Sequence, residues 1–159
     1  TCTGKTTYLL AKNSPQNAKI ITITLPPNQI ELYSSENNDD IKAKSNAIDE
    51  SIFTKFYYTN SDVEHKIFQI FCDSKQLNEN DYTNKADLIF IDGSHDYSYV
   101  KNDTEKAMKM INKNGIIIWH DYRENNTATR GVYKYLNQLS VTKKLIHIER
   151  TTFVLWKNE

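Results

Sequence analysis

Two short and nearly continuous apolar runs, Leu88-Ile89-Phe90-Ile91 and Ile116-Ile117-Ile118-Trp119, constrain this chain more than any other feature. Neither run alternates with polar residues, so each reads as a strand covered on both faces. Between them Val100, Thr104, Ala107, Met108 and Ile111 recur at helical spacing, which predicts a helix over Ser98–Ile111. Asn114-Gly115 then supplies a left-handed stop for that helix. Strand, helix and strand with two-sided burial imply a parallel sheet between helices, joined by right-handed crossovers.

The same rhythm runs through the rest of the chain. Lys19–Leu25 and Lys66–Phe71 read as further strands, and Lys5–Lys12 and Val132–Leu139 as helices. Near the end, Leu145–Ile148 and Thr152–Trp156 are joined only by Glu149-Arg150-Thr151, too short for a crossover, so these two strands are expected to be antiparallel. The expected fold class is therefore α/β, a mostly parallel sheet flanked by helices and closed by an antiparallel hairpin. The polar stretch Asn28–Asn60 reads as a long surface connection with one helix around Ile41–Phe56, serving as a lid or substrate wall or as a solvated insertion.

A chain of 159 residues suits a single domain, 1–159. Its 20 Lys+Arg balance its 20 Asp+Glu, which argues against a nucleic acid partner held by net positive charge. No run reaches the roughly 18 apolar residues of a membrane helix, so no membrane partner is expected. Two cysteines, Cys2 and Cys72, are too few for a disulfide framework or a four-thiolate zinc site, and point to a reducing, cytoplasmic setting. The sequence says nothing of oligomeric state.

Open parallel sheets bind ligands beyond the carboxyl ends of their strands. Two such ends carry Asp92-Gly93-Ser94-His95 and His120-Asp121-Tyr122. If the strands are neighbours, two carboxylates and two imidazoles share one rim, a set able to hold a divalent metal or to move protons. The bland alternative is a pair of turn residues, since Asp92-Gly93 is itself a turn dipeptide. After the Lys66–Phe71 strand, Asp73 is placed either to accept from the amino group of a bound base or to cap the next turn. Cys72 reads as a small buried residue, and His147 as the outward face of its strand. The opening Gly4-Lys5-Thr6 has two readings. It ends either a P-loop, with Asp92 as the magnesium-binding acid, or a glycine-rich turn that brings a cofactor to a helix N-terminus.

The run Asp87-Leu88-Ile89-Phe90-Ile91-Asp92-Gly93-Ser94-His95-Asp96-Tyr97, followed by Asn114-Gly115-Ile116-Ile117-Ile118-Trp119-His120-Asp121-Tyr122 and by Gly131-Val132, resembles the class I S-adenosylmethionine-dependent methyltransferases. More narrowly, it is similar to the bacterial O-methyltransferases that act on small molecules and sugars. The closing Thr151–Trp156 also fits that group's last strand. The resemblance implies a Rossmann-like seven-stranded sheet whose last strand is antiparallel, with its first strand expected to be missing from a chain that opens on Thr1. It implies S-adenosylmethionine as cofactor, a small-molecule or sugar acceptor, and methyl transfer to a hydroxyl. Carried over by position, Thr1, Thr3 and Gly4 would be the tail of the glycine-rich turn. Thr24 would face the ribose, Asp73 and Ser74 would lie at the adenine, and Asp92 would stand at the cofactor edge. In metal-dependent relatives the positions of Asp92, His120 and Asp121 hold a divalent ion, Mg²⁺ or Mn²⁺ here, and that of His95 serves as general base.

Two residues depart from the pattern. Thr24 stands where the family has an acid that bonds both ribose hydroxyls, and a single hydroxyl makes no bidentate charged contact. His120 replaces a carboxylate, which shifts metal preference toward Mn²⁺ or Zn²⁺. Two other classes of function remain beside methyl transfer. One is a methyltransferase-like domain that only binds, favoured by Thr24; the other is a P-loop hydrolase or kinase, which leaves His95, His120 and Asp121 without a role.

Overall fold

The computed structural model describes residues 2–159. Their contacts group into two compact units, residues 2–34 with 48–76, and residues 35–47 with 77–159.

In the first unit, helix α1 (Lys5–Asn13) follows Gly4, whose left-handed φ of 77° caps it. Thr7 and Ala11, one turn apart, are its buried face, and Pro15 just past Ser14 prevents continuation. The last carbonyls of α1 are not left orphaned. The buried Lys66 donates from Nζ to Ala11 O at 2.6 Å and to Ser14 O at 3.1 Å, so its charge is satisfied by a helix C-terminus. Strand β1 (Ile20–Thr24) pairs in parallel with β2 (Ile67–Phe71), Ile20 opposite Ile67 and Thr24 opposite Phe71. Helix α2 (Ile41–Ser51), whose residues 41–47 belong to the second unit, ends before the Phe56 expected from sequence.

The second unit holds a four-stranded sheet built from β3 (Ala86–Ile91), β4 (Ile111–Trp119), β5 (Ile146–His147) and β6 (Val154–Lys157), in the order β3-β4-β6-β5. β3 and β4 are parallel with Ile91 opposite Trp119, whereas β6 is antiparallel to both β4 and β5. The sequence expectation of an antiparallel ending to a parallel sheet holds. Helices α3 (Tyr97–Met110) and α4 (Arg130–Leu139) pack against this sheet. Val100, Thr104 and Ala107 on α3 and Val132, Tyr135 and Leu136 on α4 are the buried stripes, spaced as amphipathic helices require. They close on Ile117, Trp119 and Val154, and full burial of such side chains contributes about 1.5–3 kcal/mol each.

Two expectations need correction. Helix α3 stops at Met110, within a residue of the expected Ile111, but Asn114-Gly115 is not what stops it. Its terminal carbonyls are taken by the amides of Asn84 (3.1 Å, to Lys109 O) and Lys85 (2.9 Å, to Met110 O). Asn114 does adopt a left-handed φ of 67°, but within an irregularity of β4, where the register shifts between Ala86 opposite Ile111 and Leu88 opposite Ile116. Nor is every apolar strand residue enclosed: within this unit α3 and α4 cover the Ile117–Trp119 side, and Leu88 stays 46% exposed.

Candidate active site

The adjacency of β3 and β4 decides where the polar ends fall. Because the strands are parallel neighbours, Asp92 and His95 after β3 emerge beside His120 and Asp121 after β4. The His120 amide donates to Ile91 O at 3.1 Å, prolonging the ladder by one rung, and the Tyr122 amide donates to Thr152 O at 3.0 Å. Between those two anchors Asp121 is held at φ 59°, a left-handed conformation that costs a non-glycine residue about 1 kcal/mol. At the strand ends its carboxylate lies beside both imidazoles.

Four side chains meet there. His95 Nε2 lies 3.0 Å from Asp121 Oδ2. His120 Nδ1 lies 2.9 Å from Asp92 Oδ1 and 3.0 Å from Asp121 Oδ2, spanning the two acids. His95 and Asp121 are largely buried, while Asp92 and His120 keep about a third of their side-chain surface in solvent. The two carboxyls titrate in opposite senses. Burial pushes Asp92 above the usual carboxylate range, outweighing the attraction of His120. The hydrogen bond from His95 holds Asp121 below that range against the cost of its own burial. One acid is thus biased toward keeping its proton and the other toward charge, the separation that acid–base chemistry uses.

The loop carrying His95 is fixed from two directions. Asp96, 1% exposed, accepts the Asp40 amide at 3.0 Å, and Asp39 in turn accepts from the Ser98 amide at 2.8 Å and from the Ser98 hydroxyl at 2.6 Å. The first turn of α3 is therefore capped by an acid from the 35–47 segment. From the other side, Gly131 presses its bare Cα against the loop: a Cβ there would stand 2.2 Å from His95 O and 2.5 Å from Tyr97 N. This explains the glycine of the Gly131-Val132 pair as a close backbone approach.

For a divalent ion, one ligand atom each from Asp92, His95 and Asp121 lie within 4.8 Å of one another, and the imidazole in this oxygen and nitrogen set suits Mn²⁺ or Zn²⁺ better than Mg²⁺. The resemblance gives His95 the part of general base, while the geometry makes it a candidate ligand as well, one of the two uses that the four-residue rim leaves open.

The remaining sequence-assigned residues lie in the first unit. Thr24 and Asp73 stand at the carboxyl ends of β1 and β2, linked by the Cys72 amide donating to Thr24 O at 3.0 Å. Both are buried, at 5% and 2% exposure, and Asp73 Oδ1 accepts the Lys75 amide at 2.9 Å over the turn that Ser74 begins. An acid and a hydroxyl at adjacent strand ends are the donor and acceptor types a nucleoside requires. Thr3 O accepts the Tyr57 amide at 2.8 Å. Gly4 is required by its left-handed φ and by packing, since a Cβ would meet Tyr58 at 2.8 Å and Phe56 at 2.9 Å. Thr1 lies outside the described residues. Sequence reasoning passed over Arg130 and Lys134, although Arg130 directly precedes the Gly131-Val132 motif.

This fold, with the site at the ends of β3 and β4, is of the class I methyltransferase kind. A family model described as a methyltransferase domain matches residues 1–122, and the chain belongs to that family. With that membership the P-loop reading falls away. Among solved structures, the chain is similar to an O-methyltransferase from Bacillus cereus in complex with SAH, at TM-score 0.60 and 17% identity over 100% of this chain and 71% of that one. It is also similar to a candidate rRNA methylase from Clostridium thermocellum, at TM-score 0.58 and 14% identity over 98% of this chain and 84% of that one. In sequence it is 44% identical over 41 residues to an uncharacterized protein of Acanthamoeba polyphaga mimivirus, a match covering 26% of this chain and 19% of that protein. Among the described residues, no helix is long and apolar enough to cross a membrane.

Proposed function

We propose that this chain transfers a methyl group from S-adenosylmethionine to a hydroxyl oxygen of a small molecule, with His95 as the base. The observation that carries this reading is the 3.0 Å contact between His95 Nε2 and Asp121 Oδ2 at the rim of the sheet. An alcohol is a poor nucleophile near neutrality, and an imidazole with an ordinary pKa near ~6.5 is suited to accept its proton. The Asp121 carboxylate, held in its charged form, orients the ring and stabilises the imidazolium that proton transfer creates.

When bound, the cofactor supplies an electrophilic methyl group on a sulfonium, which the acceptor oxygen displaces in line. In the first unit, Thr3, Gly4, Thr24, Asp73 and Ser74 are the residues we assign to holding it. A divalent ion, if one is used, would be held by Asp92 and Asp121 with His120 or His95, and would lower the pKa of the acceptor hydroxyl. The match to an O-methyltransferase bound to SAH supports the choice of oxygen and of cofactor. Zero net charge favours a small acceptor over a polyanion, and the thiols Cys2 and Cys72 accord with a cytoplasmic setting.

Calorimetry with S-adenosylhomocysteine on the full chain tests the cofactor. Saturable binding is expected in the parent and in His95→Gln alike, with methyl transfer lost only in the variant. A parent chain that fails to bind it would leave a domain with the fold and without the reaction.

A further inference from the structure

A cleft of about 260 Å³ opens beside His95 in the second unit. One wall is the acidic and amide segment 37–40; the other is the first turn of α4, with Arg130, Gly131 and Lys134. Arg130 and Lys134 are four residues apart on one helix, so their side chains lie next to each other. Both are exposed, and neither forms an ion pair or a side-chain hydrogen bond among the described residues.

The acids on the facing wall do not neutralise them by contact. Asp39 accepts from the Ser98 amide and hydroxyl and from the Glu36 amide, and Asp40 Oδ1 accepts the Lys42 amide at 2.9 Å. Their carboxylates are committed to ordering the chain. Neither carboxylate touches Arg130 or Lys134, so the two cations stay open to a ligand while Asp39 and Asp40 keep their charge on the opposite wall. Their position relative to His95 is set by backbone, because Gly131, between them, lies against His95 O too closely to admit a Cβ.

We propose that the acceptor carries an anionic group, a carboxylate or a phosphate ester, bound by Arg130 and Lys134 so that its hydroxyl is presented to His95. Arg130 offers a planar fork that matches either anion with two parallel hydrogen bonds, and Lys134 adds a mobile point charge. The proposal rests on the methyl-transfer reading of His95 and deepens it by naming the acceptor's class.

Matched acceptor pairs test it: 3,4-dihydroxybenzoate against catechol for the carboxylate, and glucose 6-phosphate against glucose for the phosphate. In at least one pair the anionic member is expected to show a kcat/KM about 10-fold or more above its neutral partner. In Arg130→Gln/Lys134→Gln that ratio should fall toward one; the pair that responds identifies the anion. Neutral members that perform as well as the anionic ones in the parent would overturn the proposal. Independently of turnover, amide chemical shifts of His95 and Gly131 should move saturably on titration with inorganic phosphate or benzoate, and the movement should vanish in the double variant. Absence of any such shift in the parent also overturns it. Failure to bind S-adenosylhomocysteine while these shifts persist would instead remove the methyl-transfer reading and leave the anion site standing.

Discussion

The imidazole of His95 and the carboxylate of Asp121 touch at 3.0 Å because each follows one of two parallel strands that are direct neighbours. Asp121 pays for this with a left-handed backbone, and asparagine tolerates that conformation as well as aspartate does. Asp121→Asn should therefore fold normally while losing the charge that orients His95. We expect kcat to drop by about 10²-fold or more with little change in cofactor affinity, read by steady-state kinetics beside calorimetry. The carboxylate form is favoured on folding, so its stabilisation is complete above the ordinary range near ~4 and fades as pH falls through its lower folded value. The variant should show a shallower loss of stability on acidification.

Asp92 has the opposite sign. Its proton is held more tightly in the folded state, so the protein is most stable with respect to this group below pH ~4 and loses part of that as pH rises through the raised folded value. Asp92→Asn should raise the Tm at pH 7, read by thermal unfolding, while keeping a partner for His120. The gain in Tm should disappear at pH 3. A lowered Tm at pH 7 would show that the contact with His120 outweighs the cost of burial.

Gly131→Ala places a methyl group against the His95 carbonyl, a backbone atom with no rotamer to yield. Either α4 lifts or the His95 loop shifts, and we expect a loss of about 2 kcal/mol or more in urea unfolding, with activity falling beyond what the folded fraction explains. A variant as stable and active as the parent would mean that the loop relaxes freely, contrary to its anchoring by Asp96 and Asp39.

How far the sequence discloses this site depends on whether a signal is local. The strands and their polar ends are legible because apolar runs are local, whereas strand–helix–strand order leaves the adjacency of β3 and β4 conditional until the sheet itself shows it. The end of α3 is legible to within a residue, but what stops it is not. Asn114 has the left-handed φ that its type suggests, but the helix has already stopped at Met110, where the amides of Asn84 and Lys85 take its last carbonyls. Asn114 is itself held by a 2.6 Å bond from its amide to Asn158 O, near the far end of the chain. The same holds for the cap of α3, since nothing near Ser98 in sequence announces Asp39. Arg130 and Lys134 carry no local signal of a site, and it is the close approach of Gly131 to His95 O that sets them beside that residue.

The core of the second unit contains one polar link whose removal can be apportioned. Trp119 Nε1 donates to Thr104 Oγ1 at 2.8 Å, with both residues at 0% exposure. The bond ties α3 to β4, the strand that ends at the site. Thr104→Val keeps the shape and removes the acceptor, leaving an indole N–H buried without a partner, which costs about 1–3 kcal/mol. Trp119→Phe instead removes the donor and opens space, so it should cost more, about 2–4 kcal/mol, through lost packing. Combining them should cost less than the sum of the two, because once the indole is gone the valine strands nothing. Urea unfolding of the four proteins measures the coupling, and strict additivity would show that the hydrogen bond adds no stability beyond the packing around it.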